Sequence, residues 1–446
     1  MHITILTVGS RGDVQPYLAL AAGLRQAGYQ VRVATHRPFQ AAVHQRGLEF
    51  RPVAGNPREL LESDAGLAWL EAGRNPLAGT RRLIQLARPH VARLLEDAVA
   101  ACQDTQAIIY APLGMAGYHL AQAHQLPSIL AALVPLTPTR AFPAAGAPPW
   151  PLGGAYHLAT HLIAEQLGWQ PFRRQLNQWR RQTLGLAPVG LGGPGRHQRR
   201  HREPVLYGYS PSVVPKPPDW GHHLHVTGYW FPDPDPAWQP PPALTRFLEA
   251  GPPPVYVGFG SMTDRDPAGL ARTAVAALRR VGCRGVLARG WAALTGASDH
   301  EDLVVVDELP HDWLFPQMAA VVHHGGAGTT HTGLRAGIPN VVVPFFTDQP
   351  FWAGRVAALG VGPAPIPRQM LTVDRLAAAI HTAVSDPAMR ARAAALGRRI
   401  QAEDGVSRAV QAVQHHLTLA QHASEATQVA PNRGRARAPS QGGRRP

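Results

Sequence analysis

Residues 320–332 read Ala320-Val-Val-His323-His324-Gly325-Gly326-Ala327-Gly328-Thr329-Thr330-His331-Thr332. An apolar run of strand length passes through two histidines into a glycine-rich turn, and helix-forming residues follow up to Ala336. Glycines let the backbone come close to a ligand, and a helix start offers unpaired N–H groups and the positive end of its dipole. Such a turn suits a phosphate or diphosphate, with a histidine and Thr329 as further donors. It is not a Walker A loop, since no Gly-Lys-Ser/Thr follows, and it is not a Gly-x-Gly-x-x-Gly opening. A tight strand-to-helix turn with a satisfied histidine accounts for the same spacing, and local sequence does not choose between the two.

Working outward, the same strand–turn–helix grammar opens the chain. Ile3–Val8 is a short apolar run ending at Gly9-Ser10-Arg11-Gly12-Asp13, and a helical pattern from Pro16 to Ala27 stops at Gly28. Strand patterns at 30–34, 48–53 and 107–110 alternate with helical ones at 41–46 and between 57 and 99, which predicts a parallel sheet covered on both faces. From Arg140 to Pro204, Pro/Gly-rich stretches surround helical segments near 157–167 and 172–184. Proline then crowds residues 211–254, as at Pro215, Pro217, Pro218 and 240–242, which predicts an interdomain connection. The alternation restarts with strands expected at 255–259, 285–288, 303–306, 320–323 and 340–343 and helices at 267–281 and 329–336. The expected organisation is a first domain at 1–210, a connection at 211–254 and a second domain at 255–400. A C-terminal helix at 401–420 and a disordered Arg/Gly/Pro-rich tail at 421–446 complete it.

Composition narrows the function classes. The 446 residues are enough for two or three domains, and 45% hydrophobic against 16% charged residues excludes a largely disordered chain. Cys102 and Cys283 cannot build a disulfide framework or a structural zinc site, so a reducing cytoplasm is expected. The N-terminus shows neither a basic leader region nor a small-residue cleavage site, and no leader is expected. The longest charge-free stretch, Thr105 to Thr139, is broken by Pro112, Pro127, Pro135 and Pro138 and cannot span a membrane as a helix. Forty-three Lys+Arg against 29 Asp+Glu leave a net charge of +14. Lys216 is the only lysine, and five arginines (Arg433, Arg435, Arg437, Arg444, Arg445) follow the last acid, Glu425. No basic stripe lies on a nucleic-acid module, so nucleic acid is not an expected partner, while peripheral contact with a membrane is compatible with the composition.

Other residues could carry chemistry. Asp348-Gln349 follows the strand pattern at 340–343, at the carboxyl end where α/β sheets bind ligands. A carboxylate–amide pair can grip vicinal sugar hydroxyls, but local sequence alone favours an N-cap aspartate before Pro350. Asp13, after the first strand, could act as a general base or merely cap a helix. Ser261, in Gly258-Phe-Gly-Ser261, repeats that position in the second half. The acid pairs Asp233/Asp235 and Asp264/Asp266 have the spacing of a metal–nucleotide-sugar site but read as solvated turns. His222-His223-Leu-His225 lacks accompanying Cys or carboxylate ligands, and no metal is expected. The segment Arg196-His-Gln-Arg-Arg-His-Arg202 reads as a solvated loop, with anionic lipid the second reading.

With these residues in view, the chain resembles the GT-B, family 1 nucleotide-sugar glycosyltransferases, and within them the sterol glucosyltransferases and glycopeptide-antibiotic glycosyltransferases. The likeness runs to about residue 415 and rests on 9–16 (Gly-Ser-Arg-Gly-Asp-Val-Gln-Pro), 209–220, 226–231, 257–261, 309–313, the 323–330 turn and 344–349. It implies an α/β GT-B architecture, two Rossmann-like doubly wound domains facing across a cleft. His324, Gly326, Ala327, Gly328 and Thr329 match diphosphate-contacting positions. Asp348 and Gln349 match the pair that holds the donor hexose, and Asp13 matches the catalytic base. Arg11, Gly12, Ser261 and Glu308 fall at further donor-facing positions. Glu308 stands where many members carry a base-stacking tryptophan, and Thr332 where a glutamate binds ribose, which leaves base recognition to backbone around 306–309.

The resemblance implies an inverting, metal-independent hexose transfer to a hydroxyl of a hydrophobic acceptor. UDP-glucose is the expected donor, as co-substrate, with no other cofactor. The Pro-, Trp- and Tyr-bearing region from Phe142 to Tyr156 is expected to supply part of an apolar acceptor pocket. The alternatives are a nucleotide-sugar 2-epimerase of the same architecture, a dTDP-sugar-dependent antibiotic glycosyltransferase, and a non-catalytic partner subunit.

Overall fold

The computed structural model describes residues 1–55, 76–233, 238–260, 266–288, 301–307 and 309–429. The first half runs β1 (His2–Leu6), α1 (Arg11–Gln26), β2 (Gln30–Thr35), α2 (Gln40–His44), β3 (Glu49–Pro52), α3 (Pro76–Ala101), β4 (Ala107–Tyr110), α4 (Ala116–His124) and β5 (Ser128–Ala132). It continues through α5 (Gly153–Trp169), α6 (Arg173–Gln182) and α7 (Gly193–His201) to β6 (Val205–Tyr207) and β7 (Leu224–Val226). The second half holds α8 (Pro242–Glu249), β8 (Val255–Gly258), α9 (Pro267–Val281), β9 (Gly285–Ala288), β10 (Leu303–Val306), α10 (His311–Leu314), β11 (Ala320–His323), α11 (Ala327–Ala336) and β12 (Asn340–Val342). Then come α12 (Gln349–Ala358), α13 (Val373–Ser385), α14 (Pro387–Gln401) and α15 (Gly405–Val429).

Two parallel sheets result, ordered β3-β2-β1-β4-β5-β6-β7 and β10-β9-β8-β11-β12. Ile3, Ile5 and Leu6 are all fully buried, as parallel strands covered on both faces require. The strand order reverses between β1 and β4 and again between β8 and β11, so a ligand crevice forms beyond the carboxyl ends of those strands. This is the expected pair of doubly wound domains.

The structure departs from the sequence reading in three places. Helix α1 begins at Arg11, five residues before the expected Pro16, because the Ser10 N–H donates to Asp13 Oδ2 at 2.8 Å and fixes the first turn. The stretch expected to be an interdomain connection belongs to the first domain through β7, so that domain extends past 210. Tyr209, Val213, Val214, Trp220 and Tyr229 are all buried within it. Its prolines preset the loop between β6 and β7 while the aromatic and branched residues between them fill a core. The last helix also differs: α15 covers 405–429, so 421–429 continue a helix rather than a disordered tail, and 430–446 lie outside the described residues.

Two contacts tie the domains together. Trp352, Val356, Leu396 and Ile400 share one apolar core with Tyr209 and Val213. Around it the Arg355 Nε–H donates to Val213 O at 2.9 Å, and the Ser210 and Ser212 hydroxyls donate to Glu403 Oε1 at 2.7 and 2.8 Å. Helix α15 then returns to the first domain, where Val410, Val413 and Leu417 join the core of Leu20 and Leu24 on α1. Gly23 permits this close crossing, since a Cβ there would meet Val406 Cγ1. Leu417→Ala is expected to lower the unfolding free energy by about 2–5 kcal/mol, read by urea denaturation. An unchanged midpoint would show that α15 does not pack there.

Candidate active site

The turn after β11 separates two adjacent histidines by role. His323, the last residue of the strand, is fully buried. Its Nδ1 accepts the Gly325 N–H at 3.0 Å and its Nε2 lies 3.0 Å from Asn340 Oδ1, while Asn340 Nδ2 donates to Ile338 O. With Nδ1 accepting, Nε2 carries the proton and donates to Asn340. His323 therefore fixes the turn and has no nitrogen left for a ligand. His324 faces the cleft. Its Nδ1 is sealed from solvent without a partner, which leaves Nε2 as the nitrogen able to meet a ligand.

The glycines make room for this arrangement. Gly325 has φ +86°, and a Cβ there would sit 2.7 Å from Val342 Cγ1. A Cβ at Gly326 would collide with His324 Nε2. Gly326 then leads into α11, whose first-turn N–H groups, from Ala327 to Thr329, point into the cleft as the orphan donors of a helix start.

Asp348 caps α12 and keeps a carboxylate in the same cleft. Its Oδ1 accepts the Thr347 hydroxyl at 3.0 Å and its Oδ2 accepts the Trp352 indole N–H at 2.9 Å. Thr347 reaches this turn at φ +58°. Gln349 borders the same cleft, with its amide oxygen committed to the turn. It is buried, and its Oε1 accepts the Phe345 and Phe346 N–H groups at 2.8 and 3.3 Å, which holds the turn that presents Asp348.

Asp13 comes from the other domain. Its Oδ2 accepts both the Ser10 N–H and the Ser10 hydroxyl, at 2.8 and 2.9 Å. Burial in the cleft raises its pKa above the usual carboxylate value, the Ser10 bonds oppose this, and the negative charge of Asp348 adds to the rise. The two carboxylates thus sense each other across the cleft. Gly12 approaches α11 so closely that a Cβ on Gly328 would lie 3.8 Å from Gly12 Cα. Arg11 is near enough to His311 to depress its pKa. Ser261 and Glu308, and Asp235 and Asp264 of the acid pairs, lie outside the described residues.

These groups border one cleft of ≈ 3270 Å³. Its C-terminal wall includes Trp238 and Trp313, whose rings lie 5.0 Å apart, beside Val306 and Leu309. Trp238 was not singled out from the sequence, because its partner ring is 75 positions away in the chain. The apolar part of the N-terminal wall comes from Leu133, Val134, Leu136, Trp169, Phe172 and Leu176. This corrects the expected acceptor region. Of residues 142–156 only Ala144 and Ala145 reach the cleft, while Phe142 packs on Phe351 at 5.8 Å and Trp150 stacks on Tyr156 at 5.7 Å.

Residues 3–143 match the glycosyltransferase family 28 N-terminal domain, and residues 295–414 match the erythromycin biosynthesis protein CIII-like C-terminal domain. A sterol 3-beta-glucosyltransferase of Emericella nidulans is 40% identical over 433 residues, covering 94% of this chain and 30% of the relative. One of Yarrowia lipolytica is 38% identical over 434 residues, covering 94% and 29%. The chain thus joins a family 28-type glycosyltransferase N-terminal domain to a CIII-like C-terminal domain on the GT-B fold. It spans about a third of the length of the curated relatives it matches. The fold is that of the kitacinnamycin glycosyltransferase (TM-score 0.70, 23% identity, 93% of this chain and 99% of that one). It is also that of the glycosyltransferase VinC in complex with dTDP (TM-score 0.63, 20% identity, 95% and 100%).

Two expectations follow from this GT-B site. Gly326→Ala should weaken nucleotide diphosphate binding at least about tenfold by forcing the His324 ring aside; calorimetry that finds unchanged affinity would detach His324 from the phosphate site. Burial, the first cause in each case, lowers His311, His324 and His331 to about 3 and His323 to about 4. These values lie below the ordinary 6.5, so the unfolded chain binds protons that the native one refuses. Stability is intact above about pH 6.5 and drains as pH falls, by up to about 1.4 kcal/mol per pH unit for each histidine. His331→Phe, which keeps the stacking on Tyr229, should flatten that slope by one histidine's share in urea titrations between neutral and mildly acidic pH.

Proposed function

We propose that this protein transfers glucose from a nucleoside diphosphate sugar, UDP-glucose first, to the hydroxyl of a sterol-like lipid, with inversion. The observation that carries this reading is the meeting of Asp13 with the 324–329 turn and Asp348 in one cleft that continues into an apolar chamber. The curated relatives named above are sterol 3-beta-glucosyltransferases, which favours both glucose and a sterol.

In this mechanism the donor diphosphate lies against the N-terminus of α11, where the N–H groups from Ala327 to Thr329 and His324 Nε2–H donate to its oxygens. Neutral His324 is a hydrogen-bond donor there and not a charge. Asp348 accepts hydroxyls of the hexose. The acceptor hydroxyl gives its proton to Asp13, its oxygen bonds to the anomeric carbon, and the bond from that carbon to the diphosphate oxygen breaks with its electron pair. The raised pKa makes Asp13 a stronger base than an ordinary carboxylate, and the Ser10 bonds keep it oriented. Trp313 and Trp238 are the aromatic surface available to the nucleobase.

The test is mass spectrometry of reactions that pair UDP-glucose and dTDP-glucose with a sterol in detergent. A steryl glucoside from UDP-glucose is the expected product. Absence of any transfer or hydrolysis from either donor overturns the reading, and an epimerised nucleotide sugar formed without acceptor replaces it. Asp13→Asn should cut turnover about 10²–10⁴-fold while donor affinity stays within a few-fold; retained turnover would remove Asp13 from the base role.

A further inference from the structure

Helix α5 is apolar on the side that faces water. Between Gly153 and Trp169 its only charged residue is Glu165, and the exposed positions include Ala155, Ala159, Leu162, Ile163 and Leu167, which recur at helical spacing. Ile163 is 58% exposed, and Leu152, just before the helix, is 63% exposed. Trp150, 57% exposed, stacks on Tyr156 of the same helix, whose hydroxyl donates to Pro148 O at 2.7 Å. A surface helix of a protein that stays in water carries its apolar stripe inward, so this outward one calls for an occupant.

The surrounding charge identifies that occupant. Residues 140–204 hold nine arginines and two acids, Glu165 and Glu203. Helix α7 packs beside α5, with Gly195 against the Glu165 side chain, and it carries exposed Arg196 and Arg200. An apolar stripe rimmed by arginines, with a Trp–Tyr pair at one end, complements a bilayer surface bearing anionic headgroups. No helix among the described residues is long and apolar enough to cross a membrane, so such contact is peripheral. Position adds a functional reason. Ala164 and Leu167 are exposed on α5 and also border the apolar cleft, so one helix is at once outer face and chamber wall.

We infer that α5, with Trp150, Leu152 and the arginines of α7, docks on an anionic lipid surface and draws the lipid acceptor from it into the cleft. This rests on the lipid-acceptor reading above. The tail arginines offer a competing source of attraction, so the experiment separates the two. The full chain is sedimented with phosphatidylcholine vesicles with and without phosphatidylglycerol, beside a Leu162→Ser/Ile163→Ser variant, Trp150→Ser alone, Arg196→Gln/Arg200→Gln, and a chain ending at Val429. Glucosylation of detergent-dissolved sterol is assayed in parallel.

The expected result is binding to anionic vesicles only, weakened at least about tenfold by the two serines. Each arginine removed should cost about fivefold and lessen the salt dependence. Activity on dissolved sterol should stay unchanged, since none of the substituted residues borders the cleft. The inference is overturned if the wild-type chain ignores anionic vesicles, or if only the loss of residues 430–446 releases it. It is also overturned if the chain is a dimer that the serines dissociate, which would make a second copy the occupant. Loss of activity on dissolved sterol in the wild type would instead count against the proposed function.

Discussion

The apolar seam in which Trp352 and Val356 pack on Tyr209 and Val213 is the contact on which the site depends. Each domain alone supplies half of the site: the loop after β1 leads to Asp13 in the first turn of α1, and β11 leads into the 324–329 turn. A seam on one side of the cleft fixes how the carboxyl ends of the two sheets face each other. Helix α15, which leaves the second domain and packs on α1, closes the arrangement from behind. An error of about 1 Å in that relation would move Asp13 off the 324–329 turn, and the proposed reaction would suffer because proximity effects in catalysis are steep.

Burial acts in opposite senses on the two halves of the site. It holds His324 and its neighbours neutral, so the phosphate turn offers dipoles and N–H donors whose strength does not vary across the neutral range. It raises Asp13 and Asp348, and their mutual repulsion raises Asp13 further. A fixed cradle of hydrogen-bond donors opposite a carboxylate of raised pKa suits the proposed reaction, in which negative charge grows on a leaving group while a proton moves to a carboxylate. The fixed partner of the cradle is the neutral His323–Asn340 pair, which contacts no part of the cleft directly.

The strands of the second domain were legible in the sequence. Their four- to five-residue apolar runs are bounded by glycine, proline or acidic residues, and the structure places them within a residue of the expected positions. The short strands β6 and β7 were not legible, since three residues carry no periodicity and prolines surround them. Strand β6 is assigned by its pairing with distant β5, as between Leu130 and Val205, and β7 by its pairing with β6, as between Val205 and Leu224. The net charge of +14 gained a location: apart from the tail, arginine gathers around α6 and α7, beside the outward apolar stripe.

The sequence by itself determined the alternation of strand and helix, the phosphate-type turn and the residue types of the site, because these are local consequences of side-chain period and glycine placement. The tertiary structure alone decided which of two adjacent histidines faces the cleft, since Asn340 and Gly325 take up both ring nitrogens of His323. It alone decided that Gln349 supports its own turn, and that the apolar chamber is walled mainly by 133–136 and 169–176, with only Ala144 and Ala145 from 142–156. Those outcomes are set by which side chains compete for the same buried space and the same hydrogen-bond partners, and that competition exists only once distant segments are brought together.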